Sequence, residues 1–456
     1  MMLRQSILLL LIVVTLFLSV SNARHSDNIN DALGKHHKNK KDKYDDHDDR
    51  DDVIQIDGDG LEPLYVKLSL TENPGEMMVG WFTYNIMTAP QVQYKGDTKM
   101  ATVNAHKIQQ YKEKKWTGWS YSTLLTGLEP NTQYIYQVGD ASSNGKWSNT
   151  FNFTTHGAPG TKVTPFSFIA YGDMGAGGAD LITIGYVMEY IDQISFVLHV
   201  GDIAYADLHS TDNFLFGNQT VWNEFMGQIE PITSSVPYMT TPGNHDVFID
   251  TSIYRKTFHM PTTTYSKSTW YGFDYNGVHF VSISSEQLYI PFSDQHDWLA
   301  NHLAQFRQSN PNGWLIVYAH RPVYCSADYT WCKDDPIRYL FTESIEKLLY
   351  QYNVDVYISG HSHVYERSLP VFDKTIKGTY EDPKATVHIV VGTGGAQEAI
   401  LSNWLPQPHW SSGVRISSAG YGMLSVLDNN QLNFEFYGDY NNTAMDSFFM
   451  NKGTFN

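Results

Sequence analysis

Between Val53 and Thr155 apolar and polar residues alternate in short runs. LYVKLSL (64–70), EMMVGWFTY (76–84) and QYIYQVG (133–139) each put every second side chain on one face, with Asn73-Pro74-Gly75 and Leu128-Glu129-Pro130-Asn131 as turns between them. Period-two runs divided by turns predict an all-β sandwich of about 100 residues, placed at 53–155. His156-Gly157-Ala158-Pro159-Gly160 breaks the periodicity, so 156–164 reads as a linker. From Pro165 the pattern changes. Apolar runs PFSFIAY (165–171), SFVLHV (195–200), WLIVYA (314–319) and VDVYIS (354–359) alternate with helical stretches at 179–190, 293–307 and 336–350. That alternation predicts an α/β domain over 165–456, with its ligands in the loops beyond the carboxyl ends of strands.

The first 52 residues do not belong to either pattern. Arg4 precedes an apolar run from Ile7 to Val20, and Ser21-Asn22-Ala23 supplies small residues before a cut, so 1–23 reads as a secretory signal peptide. The run is shorter than the ~20 residues of a spanning helix, so no membrane anchor is expected after cleavage. Residues 24–52 hold seven basic and nine acidic residues with almost no large apolar group, and read as a disordered charged leader. Secretion gives meaning to three acceptor triplets, at Asn152, Asn218 and Asn441. It also makes Cys325 and Cys332, the chain's two cysteines, candidates for a local disulfide, with two free thiols as the alternative. A net charge of −17 over 456 residues argues against nucleic-acid binding.

Five predicted strands end in a polar block. The blocks are Gly172-Asp173-Met174-Gly175, Gly201-Asp202-Ile203-Ala204-Tyr205, Gly243-Asn244-His245-Asp246, Val317-Tyr318-Ala319-His320 and Gly360-His361-Ser362-His363. Together they offer Asp173, Asp202, Tyr205, Asn244, His320, His361 and His363 as donors. Oxygen and imidazole donors without thiolates suit iron, zinc or manganese. Seven are too many for one ion and suit two, the arrangement used for displacement at phosphorus. Taken singly, each block reads equally as a turn, a helix cap or a satisfied core histidine. Their order and their shared place at strand ends make the case.

In these blocks, and in the flanking HRPVY (320–324), GHSHVYER (360–367) and VGTGG (391–395), the chain resembles the purple acid phosphatases, within the calcineurin-like metallophosphoesterases. The resemblance runs from Val53 to the C-terminus. Relatives outside the purple group usually carry a histidine ligand two residues after the first aspartate; here that residue is Gly175, and Tyr205 supplies the donor. The resemblance implies a four-layer αββα catalytic sandwich behind a fibronectin III-like domain. It further implies Fe(III) on Asp173, Tyr205 and His363, a divalent ion (Zn, Mn or Fe) on Asn244, His320 and His361, and Asp202 between them. The expected reaction is acid hydrolysis of phosphate monoesters by metal-held hydroxide. The two ions outweigh the charge of Asp173, Asp202 and a Tyr205 phenolate, so the site attracts phosphate in spite of the acidic surface. Asn244 and His245 are expected to face substrate, and a His245 imidazolium to bind phosphate or protonate the leaving oxygen. A structural turn histidine is the alternative.

One departure limits the carry-over. Plant members place a histidine pair several residues beyond the block that holds His320, whereas RPVYCSADYTWCKDD has none, leaving Asp328, Tyr329 or Lys333 as replacements. The leading expectation is therefore a secreted or lysosomal (vacuolar) acid phosphatase, possible as a homodimer through the sandwich. A phosphodiesterase using the same metals and a binding glycoprotein with a vestigial site are the competing readings.

Overall fold

The computed structural model describes residues 58–452, except 98–99, 114–115, 143, 158–159, 161, 179, 209–217, 248–250, 263–265 and 396. The signal peptide (1–23) and charged leader (24–52) lie outside the described residues. The N-terminal part has eight strands: β1 (Leu64–Ser69), β2 (Met77–Thr83), β3 (Pro90–Lys95), β4 (Ala101–Asn104), β5 (Lys107–Glu113), β6 (Trp116–Leu125), β7 (Gln133–Asp140) and β8 (Phe151–Thr154). They form two antiparallel sheets, ordered β1-β2-β6-β5 and β4-β3-β7-β8. The alternation in the sequence becomes burial: Val66, Val79, Trp81, Tyr121, Val92 and Val138 all point inward. Trp81 and Tyr121 stack with ring centroids 5.3 Å apart.

The second part is built on two mixed sheets. One contains β9 (Phe166–Tyr171), β10 (Val197–Val200) and β11 (Tyr238–Thr241). The other contains β12 (Tyr271–Tyr275), β13 (Val278–Ser282), β14 (Leu315–Tyr318), β15 (Val356–Ser359) and β16 (Tyr365–Ser368). Two short hairpins, β17–β18 (Val371–Phe372, Thr375–Ile376) and β19–β20 (Gly378–Thr379, Asp382–Pro383), follow. β21 (Val387–Val391), β22 (Ser411–Ile416), β23 (Gly420–Val426), β24 (Gln431–Gly438) and β25 (Thr443–Asn451) complete the sheets. The orders are β11-β10-β9-β23-β24-β25 and β12-β13-β14-β15-β21-β16-β22. Their inner faces meet in a layer of aromatics, with Phe168 edge-on to Phe280 at 5.3 Å. The helices Asp180–Glu189, Gln219–Thr233, Asp294–Ser309 and Pro336–Gln351 belong to the outer layers of an αββα sandwich. Local chemistry fixes two of their starts: the Ser293 side chain accepts from His296 N, and Asp335 accepts from Ile337 N ahead of Pro336.

Ile56–Asn456 form one compact unit. The sandwich docks through β1 on the helix Gln219–Thr233. There Val66 N donates to Glu230 Oε1 at 3.0 Å, and Thr233 Oγ1 donates to Val66 O at 2.7 Å. The expected linker is also held, since Gly157 N donates to Asn276 Oδ1 at 2.7 Å. Among the described residues no helix is long and apolar enough to cross a membrane.

β9, β10 and β11 run parallel, as do β13, β14, β15 and β21. Their carboxyl ends therefore open on common edges, and that is where the five polar blocks lie.

Candidate metal centre

Three of the five blocks leave their strands through an unusual backbone. Asp173, Asp202, Tyr205 and His361 have φ of +60°, +51°, +51° and +66°, in the left-handed region that side chains with a Cβ avoid. Such strain persists where the surroundings over-determine it, and it clusters at functional sites. Hydrogen bonds between loops hold it: Asp173 N donates to Gly201 O at 3.0 Å and Gly360 N donates to His320 O at 2.8 Å. Two glycines make room for carboxylates. A Cβ on Gly243 would lie 2.2 Å from Asp202 Oδ1, and one on Gly360 2.3 Å from Asp173 Oδ2. Neither position accepts a side chain without moving the acid.

The seven sequence-predicted donors converge as two linked groups. In the first, Tyr205 Oη is 3.0 Å from His363 Nε2 and 3.3 Å from Asp173 Oδ1, and His363 Nε2 is 3.3 Å from the same oxygen. In the second, His320 Nε2 is 3.1 Å from Asp202 Oδ2, 3.1 Å from Asn244 Oδ1 and 3.2 Å from His361 Nδ1. His361 N donates to Asp173 Oδ2 at 2.8 Å and links the groups. The two carboxylates, the tyrosine and the three histidines are buried.

The electrostatics follow from that burial. Burial opposes the charge on Asp202, but His320 and His245 outweigh it and hold the carboxyl well below its usual range. Burial also opposes charge on His320, yet Asp202 and Asp173 push it up to about 9. Burial, then Asp173 and Asp202, raise the Tyr205 phenol far above its ordinary value. Forming a phenolate there requires a strong positive charge beside it. This donor set fits metal: it is dry, anionic, rich in imidazole and convergent. Asp202, His320 and His361 each turn a ligand atom into a space where all three lie within 4.8 Å of one another.

His245 stands beside these groups. Its Nδ1 is 2.7 Å from Asp207 Oδ2, and its Nε2 is 3.5 Å from Glu398 Oε2 and 3.9 Å from Asp202 Oδ2. Burial lowers its proton affinity, but Asp202, Asp207 and Glu398 together raise it well above the usual histidine range. Asp246, from the same block, accepts from Ile203 N at 3.0 Å and Gly243 N at 2.8 Å and so ties two blocks together.

A disulfide joins Cys325 and Cys332. The loop it closes is pinned by Ser326 N donating to Glu366 Oε2 at 2.7 Å and Asp328 N donating to Asn403 O at 2.9 Å. Among the three rim candidates, Asp328 and Lys333 pair with each other at 2.9 Å. Tyr329 instead faces the His361 ring with centroids 5.5 Å apart. Of the three acceptor asparagines, Asn152 and Asn441 are exposed, while Asn218 is half-buried and caps the helix Gln219–Thr233.

Sequence reasoning missed Asp207, Glu286, Arg321 and Glu398. Arg321 lies within the quoted HRPVY, and Glu286 follows β13 in the strand-end position that marked the other blocks.

This geometry can be set beside known proteins. Residues 63–155 match the family model for the purple acid phosphatase N-terminal domain, 166–365 that for calcineurin-like phosphoesterases, and 385–447 that for the iron/zinc purple acid phosphatase-like protein C. The acid phosphatase type 7 of Danio rerio is 30% identical over 419 residues, spanning 83% of this chain and 89% of the relative. The chain belongs to the purple acid phosphatase family. Membership implies a dinuclear metal centre, which the buried donor set fits. Another relative, from Arabidopsis thaliana, is named probable inactive purple acid phosphatase 1 and is 30% identical over 440 residues, spanning 86% of this chain and 69% of its own length. A purple acid phosphatase from yellow lupin seeds shares the fold, with TM-score 0.75 at 24% identity over 86% of this chain and 75% of the lupin chain.

Proposed function

We propose that this member of the purple acid phosphatase family is a secreted acid phosphatase that hydrolyses phosphate monoesters at a centre of Fe(III) and one divalent ion. The observation that carries the proposal is the pairing of Tyr205 Oη with His363 Nε2 at 3.0 Å beside Asp173. It supplies a phenolate, a carboxylate and an imidazole, a hard anionic set for a ferric ion. Asn244, His320 and His361 would hold the divalent ion, with Asp202 shared. When bound, the pair of ions supplies a nucleophile from water at acid pH and a clamp for the phosphoryl oxygens.

The chain's own residues do the rest. Asn244 is neutral and so adds no negative charge where an anion must bind. His245, held by Asp207 at Nδ1, keeps a proton on Nε2, which lies 3.5 Å from Glu398 Oε2 and would pass to the leaving oxygen once substrate binds. The walls from Tyr329 and Trp331, whose ring lies 5.3 Å from that of His361, exclude water from one side.

Export through residues 1–23, loss or retention of the 24–52 leader, and glycosylation at Asn152, Asn218 or Asn441 belong to the same proposal, with the extracellular space or a lysosomal lumen as destination. The division into 53–155, 156–164 and 165–456 belongs to it as well. A relative named inactive favours a second reading, a vestigial site; the complete set of seven donors in this chain weighs against it. Rates on a phosphate monoester and a diester, measured with iron and zinc content, test the proposal. Hydrolysis of the monoester by a two-metal protein supports it. A metal-free protein, or one that cleaves only the diester, refutes it.

A further inference from the structure

We propose that Glu286 and Arg321 form a charge-compensated clamp that sets how tightly the divalent half of the centre holds its ion; the inference rests on the two-metal reading above. Arg321 follows His320 directly and is 5% exposed. Its Nε and Nη2 lie 2.6 and 3.0 Å from Glu286 Oε1 and Oε2, a two-pronged ion pair. The remaining donors of the fork turn into the centre, Nη1 at 2.9 Å from His361 Nε2 and Nη2 at 3.1 Å from Asn244 Oδ1. The guanidinium is stacked 4.6 Å over the Trp331 ring. Ser285 Oγ accepts from Arg321 N at 3.1 Å and donates to Glu286 Oε1 at 3.0 Å, which locks the pair from behind.

This arrangement inverts the ordinary one. A metal-binding histidine usually gives its second N–H to a carboxylate or carbonyl, which strengthens it as a ligand. Behind His361 and Asn244 stands a group that can only donate and is always charged. A lone buried guanidinium there would repel a divalent ion. Glu286 cancels that charge while leaving Nη2 to donate to Asn244 Oδ1 and Nη1 packed at 2.9 Å against His361 Nε2. The other half of the centre is held differently, since Asp173, Tyr205 and His363 contact one another and His363 Nδ1 lies 2.9 Å from the Ala399 carbonyl oxygen. Loss of Glu286 should therefore weaken one ion and spare the other.

The test compares wild type, Glu286→Gln, Arg321→Gln and Glu286→Gln/Arg321→Gln. Iron-loaded protein is titrated with zinc against a chelator, and the charge-transfer absorption expected of a ferric ion on a Tyr205 phenolate reports the first ion. In Glu286→Gln the band is expected to persist while zinc affinity falls by about 10–100-fold. The double variant should recover most of that loss, and Arg321→Gln alone should bind zinc at least as tightly as wild type. Unchanged zinc affinity in Glu286→Gln overturns the proposal. So does a double variant as weak as Glu286→Gln, or an equal loss in Arg321→Gln, because either would make the pair a matter of shape and not of charge. A wild type that holds fewer than two ions refutes the two-metal reading itself, a different result from two ions whose affinity ignores Glu286.

Discussion

Tyr205 Oη lies 3.0 Å from His363 Nε2, and the two residues are 158 positions apart in the chain. One follows β10 and the other β15, which belong to different sheets, so the contact exists only because the sheets pack face to face. Burial and two carboxylates keep the Tyr205 phenol protonated unless a strong cation displaces the proton. If Tyr205 holds the proposed ferric ion as a phenolate, whose charge transfer to iron would colour the protein, Tyr205→Phe should remove that colour and weaken the ion, while divalent binding at the proposed Asn244, His320 and His361 site survives. Spectra and metal analysis of the variant check this.

His245 has both nitrogens turned to carboxylates, Asp207 on one side and Glu398 on the other. If it protonates the leaving oxygen, His245→Ala should lower kcat by about 10²–10⁴-fold for alkyl phosphates, with a smaller loss for activated phenyl phosphates. Rates across a series of leaving groups decide the matter. An equal loss for every ester would assign His245 to structure alone.

Tyr329 is the rim residue that faces the centre, and Asp328 and Lys333 are occupied with each other. Tyr329→Phe should raise KM and the inhibition constant of phosphate by about fivefold, the worth of roughly 1 kcal/mol in one hydrogen bond. Asp328→Ala should leave both constants unchanged. Steady-state kinetics with phosphate as inhibitor checks the pair.

Two buried acids should each give stability a pH dependence of definite sign. Burial pushes Glu366 up to about 7, although Ser326 donates to both of its oxygens. Burial likewise pushes Asp439 up to about 6. Both acids hold their protons more tightly when folded than when unfolded. Their contribution is thus complete below the unfolded carboxyl pKa, about 4, and is lost as pH rises through 6 to 7. Glu366 alone therefore favours the folded state at pH 5 over neutral pH by up to about 3 kcal/mol, against the opposite pull of the buried His199, His302 and His388, whose proton affinity burial lowers to about 3 or 4. In thermal unfolding, Glu366→Gln should therefore gain at neutral pH relative to pH 5 when compared with wild type in the same metal state.

The strand ends were legible because each donor block follows an apolar run, as Asp173 follows Phe166–Tyr171 and His361 follows Val356–Ser359. Helix starts at Ser293 and Asp335 were legible for a similar local reason. The helix Gln219–Thr233 was not assigned from the pattern, although Trp222, Phe225, Met226 and Ile229 on one face are buried. Pro231 near its end and the acceptor triplet at Asn218 both speak for a loop there. The Glu286–Arg321 clamp was out of reach for another reason. The residues are 35 apart, and only the parallel pairing of β13 with β14 brings their strand ends side by side. Periodicity gives the strands, but not which strands are neighbours.

The central claim is that Tyr205 serves a ferric ion in a two-metal centre. The visible absorption spectrum of the purified, oxidised protein, recorded together with its iron content, tests it most directly. A tyrosinate-to-iron charge-transfer band with about one iron per chain, lost in Tyr205→Phe, is the predicted result. A colourless oxidised protein carrying well under one iron per chain, or a band that persists in Tyr205→Phe, would contradict it.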